Sequence, residues 1–175
     1  GYIWIGTDSG LYRYDGSEFR KFTLGEDEGS NAYSVNSILS TSSGELYVGT
    51  ENYGLFVYDK GKFFRVTNPS DAEITTIHSM YEDEEGKIWL ATSSGIYYYS
   101  DGDMTLVADE DIVYPDVTAI GGYKSYVYAI VNSDTIVNIK NNEIVSKTNK
   151  AAYTEEDLNS LYVDSDGNRY IGTVG

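Results

Sequence analysis

The chain has 175 residues, of which 41% are apolar or aromatic, enough to build a packed core and too many for a disordered segment. Asp plus Glu number 28 against 12 Lys plus Arg, and the resulting net charge of −16 repels nucleic-acid phosphates and anionic lipid surfaces. Cysteine is absent and His78 is the single histidine, which excludes disulfides, thiol chemistry and any multi-histidine metal site. No apolar run approaches the roughly 20 residues of a membrane helix. The chain opens on Gly1-Tyr2-Ile3-Trp4 without an initiator Met, and it reads as an excerpt of a longer protein.

There are 18 Tyr and 18 Gly but only 2 Pro and 2 Met, a balance that favours strands joined by tight turns. One heptad sets the architecture. Gly1-Tyr2-Ile3-Trp4-Ile5-Gly6-Thr7 recurs as Gly44-Glu45-Leu46-Tyr47-Val48-Gly49-Thr50 and as Gly86-Lys87-Ile88-Trp89-Leu90-Ala91-Thr92. A decayed copy starts at Ser125 and a last copy at Gly167, so the spacings are 43, 42, 39 and 42 residues. The column Trp4, Tyr47, Trp89, Tyr128, Tyr170 is aromatic throughout, and one large ring per repeat is what packing between neighbouring sheets requires.

Each repeat predicts four strands, A to D. Residues 1–24 supply B, C and D. In 34–67, Val35–Thr41 is A, Glu45–Thr50 is B, Leu55–Asp59 is C and Lys62–Thr67 is D. Residues 76–108 and 116–148 repeat the set, and 157–175 supply A and B. Runs such as Leu55-Phe56-Val57-Tyr58 are apolar on both faces, so each sheet must be covered from both sides. About 40 residues and four antiparallel strands per unit predict an all-β fold, a β-propeller segment of about four blades belonging to a larger propeller. Open blade ends predict either further blades in the parent or a homo-oligomer.

The pattern carried by Asp83, Gly86, Ile88, Trp89 and Thr92, by Gly1 to Thr7 with Gly10-Leu11 and Tyr14-Asp15, and by Gly54, Leu55, Tyr58, Asp59 and Phe63 resembles the two-component regulator propeller repeat. The fourth copy departs from it, with Ser125 for Gly, Val131 for Thr and Ile139-Lys140 for Tyr-Asp. The resemblance implies an extracytoplasmic sensor region joined to a signalling output module, and an oligosaccharide as ligand.

Acidic turns such as Asp164-Ser165-Asp166-Gly167-Asn168 look calcium-like, yet Gly stands fourth rather than sixth and no Glu follows at the twelfth position. They read as hairpin turns stapled by an Asp side chain. The carboxylates lie mostly in solvated runs, Glu26-Asp27-Glu28 among them, and form no acid–base constellation. No catalytic residue, metal ligand or cofactor is assigned.

Two features point to ligand binding. A polar residue recurs near the start of strand A, as Asn36, His78, Thr118 and Asn159, where it faces the mouth of a central channel. The D–A connections are long, and Tyr33, Tyr114 and Tyr153 sit in them close to the next strand A, with Asn52 and Tyr53 on a B–C turn of the same side. These nine residues are the expected ligand site of a non-catalytic sensing propeller. A protein-interaction propeller is the alternative, and a carbohydrate-active enzyme a more distant one.

Overall fold

The computed structural model describes residues 2–25, 33–67, 74–112 and 115–174. The described residues form seventeen strands: β1 (Ile3–Thr7), β2 (Gly10–Tyr14), β3 (Phe19–Phe22), β4 (Val35–Ser40), β5 (Leu46–Thr50), β6 (Leu55–Asp59), β7 (Lys62–Arg65), β8 (Ile77–Glu82), β9 (Ile88–Thr92), β10 (Gly95–Ser100), β11 (Asp103–Leu106), β12 (Val117–Tyr123), β13 (Tyr126–Val131), β14 (Thr135–Lys140), β15 (Glu143–Asn149), β16 (Asp157–Val163) and β17 (Arg169–Val174). They pair as antiparallel meanders in five sheets: β1 to β3, β4 to β7, β8 to β11, β12 to β15, and β16 with β17. The expected order of three strands, three sets of four and a final two is therefore observed. A single turn of 3-10 helix, Lys150–Ala152, interrupts the last connection. No helix among the described residues is long and apolar enough to cross a membrane.

Two compact units divide the chain, Gly1–Ile77 and His78–Gly175. In the first, Trp4 packs into the second sheet, edge-on to Tyr58 and Phe63 with ring centroids 5.9 Å away in each case. In the second, Trp89 is 2% exposed and joins a core with Val117, Val127 and Ile139 of the fourth sheet. Trp4 and Trp89 of the aromatic column thus each pack one sheet on the next. All five residues of β5 and all five of β9 are buried, which accounts for the absence of apolar–polar alternation there. Close approach also explains a glycine: a Cβ on Gly49 would lie 2.8 Å from Ile77 Cγ2.

The repeat motif is a set of side-chain staples. Thr7, Thr50 and Thr92 each end a strand B. Their hydroxyls donate to the carbonyls of Gly10, Gly54 and Gly95 at 2.9, 2.8 and 2.7 Å. They accept from the N–H groups of Ser9, Tyr53 and Ser94, all at 3.1 Å. One hydroxyl thus closes each B–C turn. At the A–B turn, Asp83 Oδ1 accepts from the N–H groups of Glu85 and Lys87, while Oδ2 accepts from Trp89 Nε1 at 2.7 Å. Asp164 repeats this, with Oδ2 accepting from Asn168 Nδ2 and from the Tyr170 hydroxyl. The Asn168 side chain, ahead of the backbone donors, holds the Asp164 carboxyl below its ordinary value. Thr41 stands at the same position of the second sheet and accepts from Glu45 N–H.

The fourth sheet is complete despite its decayed sequence. Where Val131 replaces the stapling Thr, Asn132 and Ser133 turn the chain with φ of 52° and 56°. Asn tolerates this left-handed region better than most residues.

Candidate functional site

The B–C turns and D–A connections are stitched together by backbone hydrogen bonds. Gly54 N–H donates to the Thr75 carbonyl at 2.7 Å, and Leu158 N–H to the Ser133 carbonyl at 2.8 Å. The Thr76 hydroxyl donates to the Glu51 carbonyl at 3.2 Å. Gly54 is obligatory here, because its φ is +75° and a Cβ would meet the Ile74 carbonyl oxygen at 2.7 Å. These bonds hold turn and connection together at one end of the second and of the fourth sheet.

In the first unit this end carries two of the expected tyrosines in contact. The rings of Tyr33 and Tyr53 are perpendicular with centroids 4.3 Å apart. Tyr33 also leans on the buried Phe56, at 5.7 Å, which anchors the pair to the core. Tyr53 is 43% exposed. Asn52, beside it in the turn, and Asn36, at the start of β4, are both exposed.

The recurrent polar residue of strand A has a structural cause. Asn36, Thr118 and Asn159 are the extra residues of β-bulges, where the register slips between Val35 and Ser37, between Val117 and Ala119, and between Leu158 and Ser160. The residue before each bulge is buried, Val35, Val117 and Leu158 in turn. A bulge re-aims one side chain without moving the buried residue before it. Thr118 Oγ1 is buried with no hydrogen-bond partner among the described residues, an acceptor and donor left open beside the strand end.

In the second unit His78 is half-buried, and its Nε2 lies 3.1 Å from Asp116 Oδ1. Asp116 is held in turn by Asn132, whose Oδ1 accepts from Asp116 N–H at 2.9 Å. Asp116 stands two residues before the bulged Thr118 in the sequence. Tyr153 is 71% exposed and caps the 3-10 turn without a ring partner among the described residues. Tyr114 lies outside the described residues. The neighbouring segment forms an apolar recess of ≈ 160 Å³ lined by Ile96, Leu106, Ile112, Pro115, Val131 and Ile144. Asp109, also in its lining, pairs with Lys147 at 2.5 Å, and Lys147 lies 3.1 Å from Asp111.

Chemically these groups offer flat rings, amides, a hydroxyl and one imidazole–carboxylate pair, all suited to hydrogen bonding and stacking. Among the described residues no cluster of three His, Asp or Glu side chains is arranged to hold a metal ion. The carboxylates of the acidic turns already accept bonds from their own turns, as Asp83 and Asp164 do. Sequence reading missed Asp116 and Asn132. Asp116 lies 38 residues from His78, and no local pattern marks the pair.

Residues 73–94 match the family described as Two component regulator propeller. The chain carries that propeller repeat. The matched segment spans the described β8, the stapled A–B turn and β9, so the family signature and the Asp83–Trp89 bond coincide. The propeller fold is shared with the extracellular domain of a hybrid two component system protein from B. thetaiotaomicron. That likeness has a TM-score of 0.80 at 22% identity, over 99% of this chain and 24% of the other. The extracellular domain of a one component system protein from B. thetaiotaomicron matches with a TM-score of 0.78 at 19% identity, over 98% of this chain and 25% of the other. A catalytically inactive virginiamycin B lyase from Staphylococcus aureus, solved with quinupristin, matches with a TM-score of 0.79 at 12% identity, over 99% of this chain and 60% of the other. The chain thus spans about a quarter of the length of these two extracellular domains. No curated protein matches it by sequence. Likeness at these identities establishes the propeller fold and nothing finer.

Proposed function

We propose that the chain is part of a non-catalytic, extracytoplasmic sensing propeller that captures an oligosaccharide at the end of the blades carrying the B–C turns and D–A connections. The observation that carries this reading is the Tyr33–Tyr53 pair, one ring anchored on Phe56 and the other exposed beside Asn52. Perpendicular rings next to an amide present a stacking face and hydrogen-bonding groups together, a combination that suits a sugar ring. Asn36, bulged at the start of β4, adds an amide in the same unit, and in the second unit Thr118, Asn159 and His78 with Asp116 are the polar groups at the corresponding strand starts. The match to the two component regulator propeller repeat supports a signalling role, with binding relayed to an output module of the parent protein. The lyase among the structural neighbours makes catalysis the reading to test against.

Calorimetry with a panel of neutral oligosaccharides on the 175-residue chain is the direct test. Tyr53→Ala should weaken any binding by about ten-fold or more, since a stacked aromatic contact contributes on the order of 1–3 kcal/mol. The circular dichroism spectrum should be unchanged, because the Tyr53 ring is substantially exposed. Unaltered affinity in both Tyr33→Ala and Tyr53→Ala would remove this site. Release of shortened glycan from any hit, lost in a single carboxylate variant, would establish an enzyme instead.

A second reading, assembly through blade ends, is favoured by a separate observation. In the two-stranded last sheet Tyr162, Tyr170, Ile171 and Val174 are exposed, as are Tyr2 and Ile3 in the first sheet. Such faces suit further blades or a second copy of the chain.

A further inference from the structure

A like-charge pair in the first sheet is stacked on aromatic rings and has no acidic partner among the described residues. Arg13 of β2 lies directly opposite Arg20 of β3 in the strand register. Directly opposed side chains in a sheet have Cβ atoms about 5 Å apart, and like charges at that distance oppose folding. Both guanidiniums converge on one ring, with Arg13 Cζ 5.1 Å and Arg20 Cζ 5.2 Å from the Phe22 centroid. Arg13 is half-buried and also lies 4.0 Å from the exposed Tyr2 ring. Neither arginine makes an ion pair with any described residue, in a chain that carries 28 acidic side chains.

Protection of an open sheet edge accounts for a basic residue on β3, the outer strand. It does not account for a second guanidinium facing the first from the inner strand β2. Stacking on Phe22 and Tyr2 holds the two heads in place without neutralising them. A cleft of ≈ 390 Å³ adjoins Arg20 and is lined by it with Lys21, Phe22, Lys62 and Phe63.

We infer that Arg13 and Arg20 form a site for one oxyanion group, the carboxylate of a small sugar acid, with the Tyr2 ring beside it for the sugar body. Two guanidiniums projecting from directly opposed positions on one face of the sheet can both donate charge-assisted hydrogen bonds to one carboxylate. An anion between them also relieves the repulsion that the register imposes. The net charge of −16 selects for size: it repels a highly charged polyanion over the whole surface and leaves a singly charged ligand to the local field. This site lies on side chains of β2 and β3, apart from Tyr33 and Tyr53. Its oxyanion half stands alone, and its saccharide half rests on the oligosaccharide reading above.

The test follows the arginine Nε–H resonances of the isotope-labelled 175-residue chain by NMR at constant ionic strength. Glucuronic acid, glucose, acetate and a polyglutamate peptide are added in separate titrations. Glucuronate should shift the Arg13 and Arg20 signals saturably, glucose should not, and acetate should do so more weakly. Arg20→Gln, at an exposed position, should fold normally and weaken glucuronate binding about ten-fold or more, as loss of a charged hydrogen bond does. No saturable shift with any anion, or an Arg20→Gln variant that binds glucuronate as the parent does, overturns the site. Acetate binding as tightly as glucuronate overturns the sugar-acid assignment, and so does tighter binding of polyglutamate. Failure of the tyrosine variants to affect neutral glycans would leave these arginine results untouched, so the two readings fail separately.

Discussion

Trp89→Ala should lower the stability of the His78–Gly175 unit by about 3–5 kcal/mol, the range for deleting a large buried aromatic side chain. The ring is 2% exposed and sits among Val117, Val127 and Ile139, so truncation leaves a cavity between two sheets. It also removes the donor to Asp83 Oδ2. Asp83→Ala should cost less, about 1–3 kcal/mol, because it leaves the indole N–H unpaired but the packing intact. The double variant should fall short of the sum, since both changes break the same bond. Urea melts followed by circular dichroism check this, with the two single variants and the double in one series. A Trp89→Ala loss under about 1 kcal/mol would mean that the aromatic column is not what holds neighbouring sheets together. Tyr170, the equivalent ring in the last sheet, is 56% exposed, and Tyr170→Ala should change stability little.

The second large effect is self-association. The outer edge of β17 and the outer edge of β1 have no partner strand among the described residues. Both sheets expose apolar side chains, among them Ile3, Ile171 and Val174. Unpaired edges and apolar faces together favour strand pairing between copies. Light scattering on the 175-residue chain should give a mass above that of one chain, rising with concentration. Ile171→Lys should shift the distribution toward monomer, because an edge lysine opposes pairing. A monomer at all concentrations with one cooperative melt contradicts this expectation.

The strand plan was legible because the repeat encodes its own staples. Thr7, Thr50 and Thr92 close B–C turns, and Asp83 and Asp164 close A–B turns, so each motif residue marks a fixed point of one sheet. The fourth repeat lost that signature and kept the sheet. Val131 with Asn132-Ser133 replaces the Thr staple by a left-handed turn, a solution that motif counting does not see. The polar residue of strand A was visible as a column, but its bulge was not, because a bulge is a property of pairing rather than of one strand. The candidate site was legible only in part. Tyr33 and Tyr53 do meet, since turn and connection share one end of the sheet. His78 was singled out without its partner Asp116, because the two are joined by packing of separate repeats. Arg13 and Arg20 went unnoticed for a similar reason. Their opposition depends on the register set by the turn from Asp15 to Glu18, where Asp15 accepts from the N–H groups of Ser17 and Glu18.

Mapping a bound oligosaccharide onto the chain by NMR tests the central claim most directly. The first neutral glycan that binds in the calorimetric panel is titrated into the isotope-labelled chain. The account predicts the largest shifts at Asn52, Tyr53 and Tyr33, with smaller ones at Asn36. Shifts confined to the opposite sheet end, at the A–B and C–D turns around Glu85 and Asn142, would contradict it.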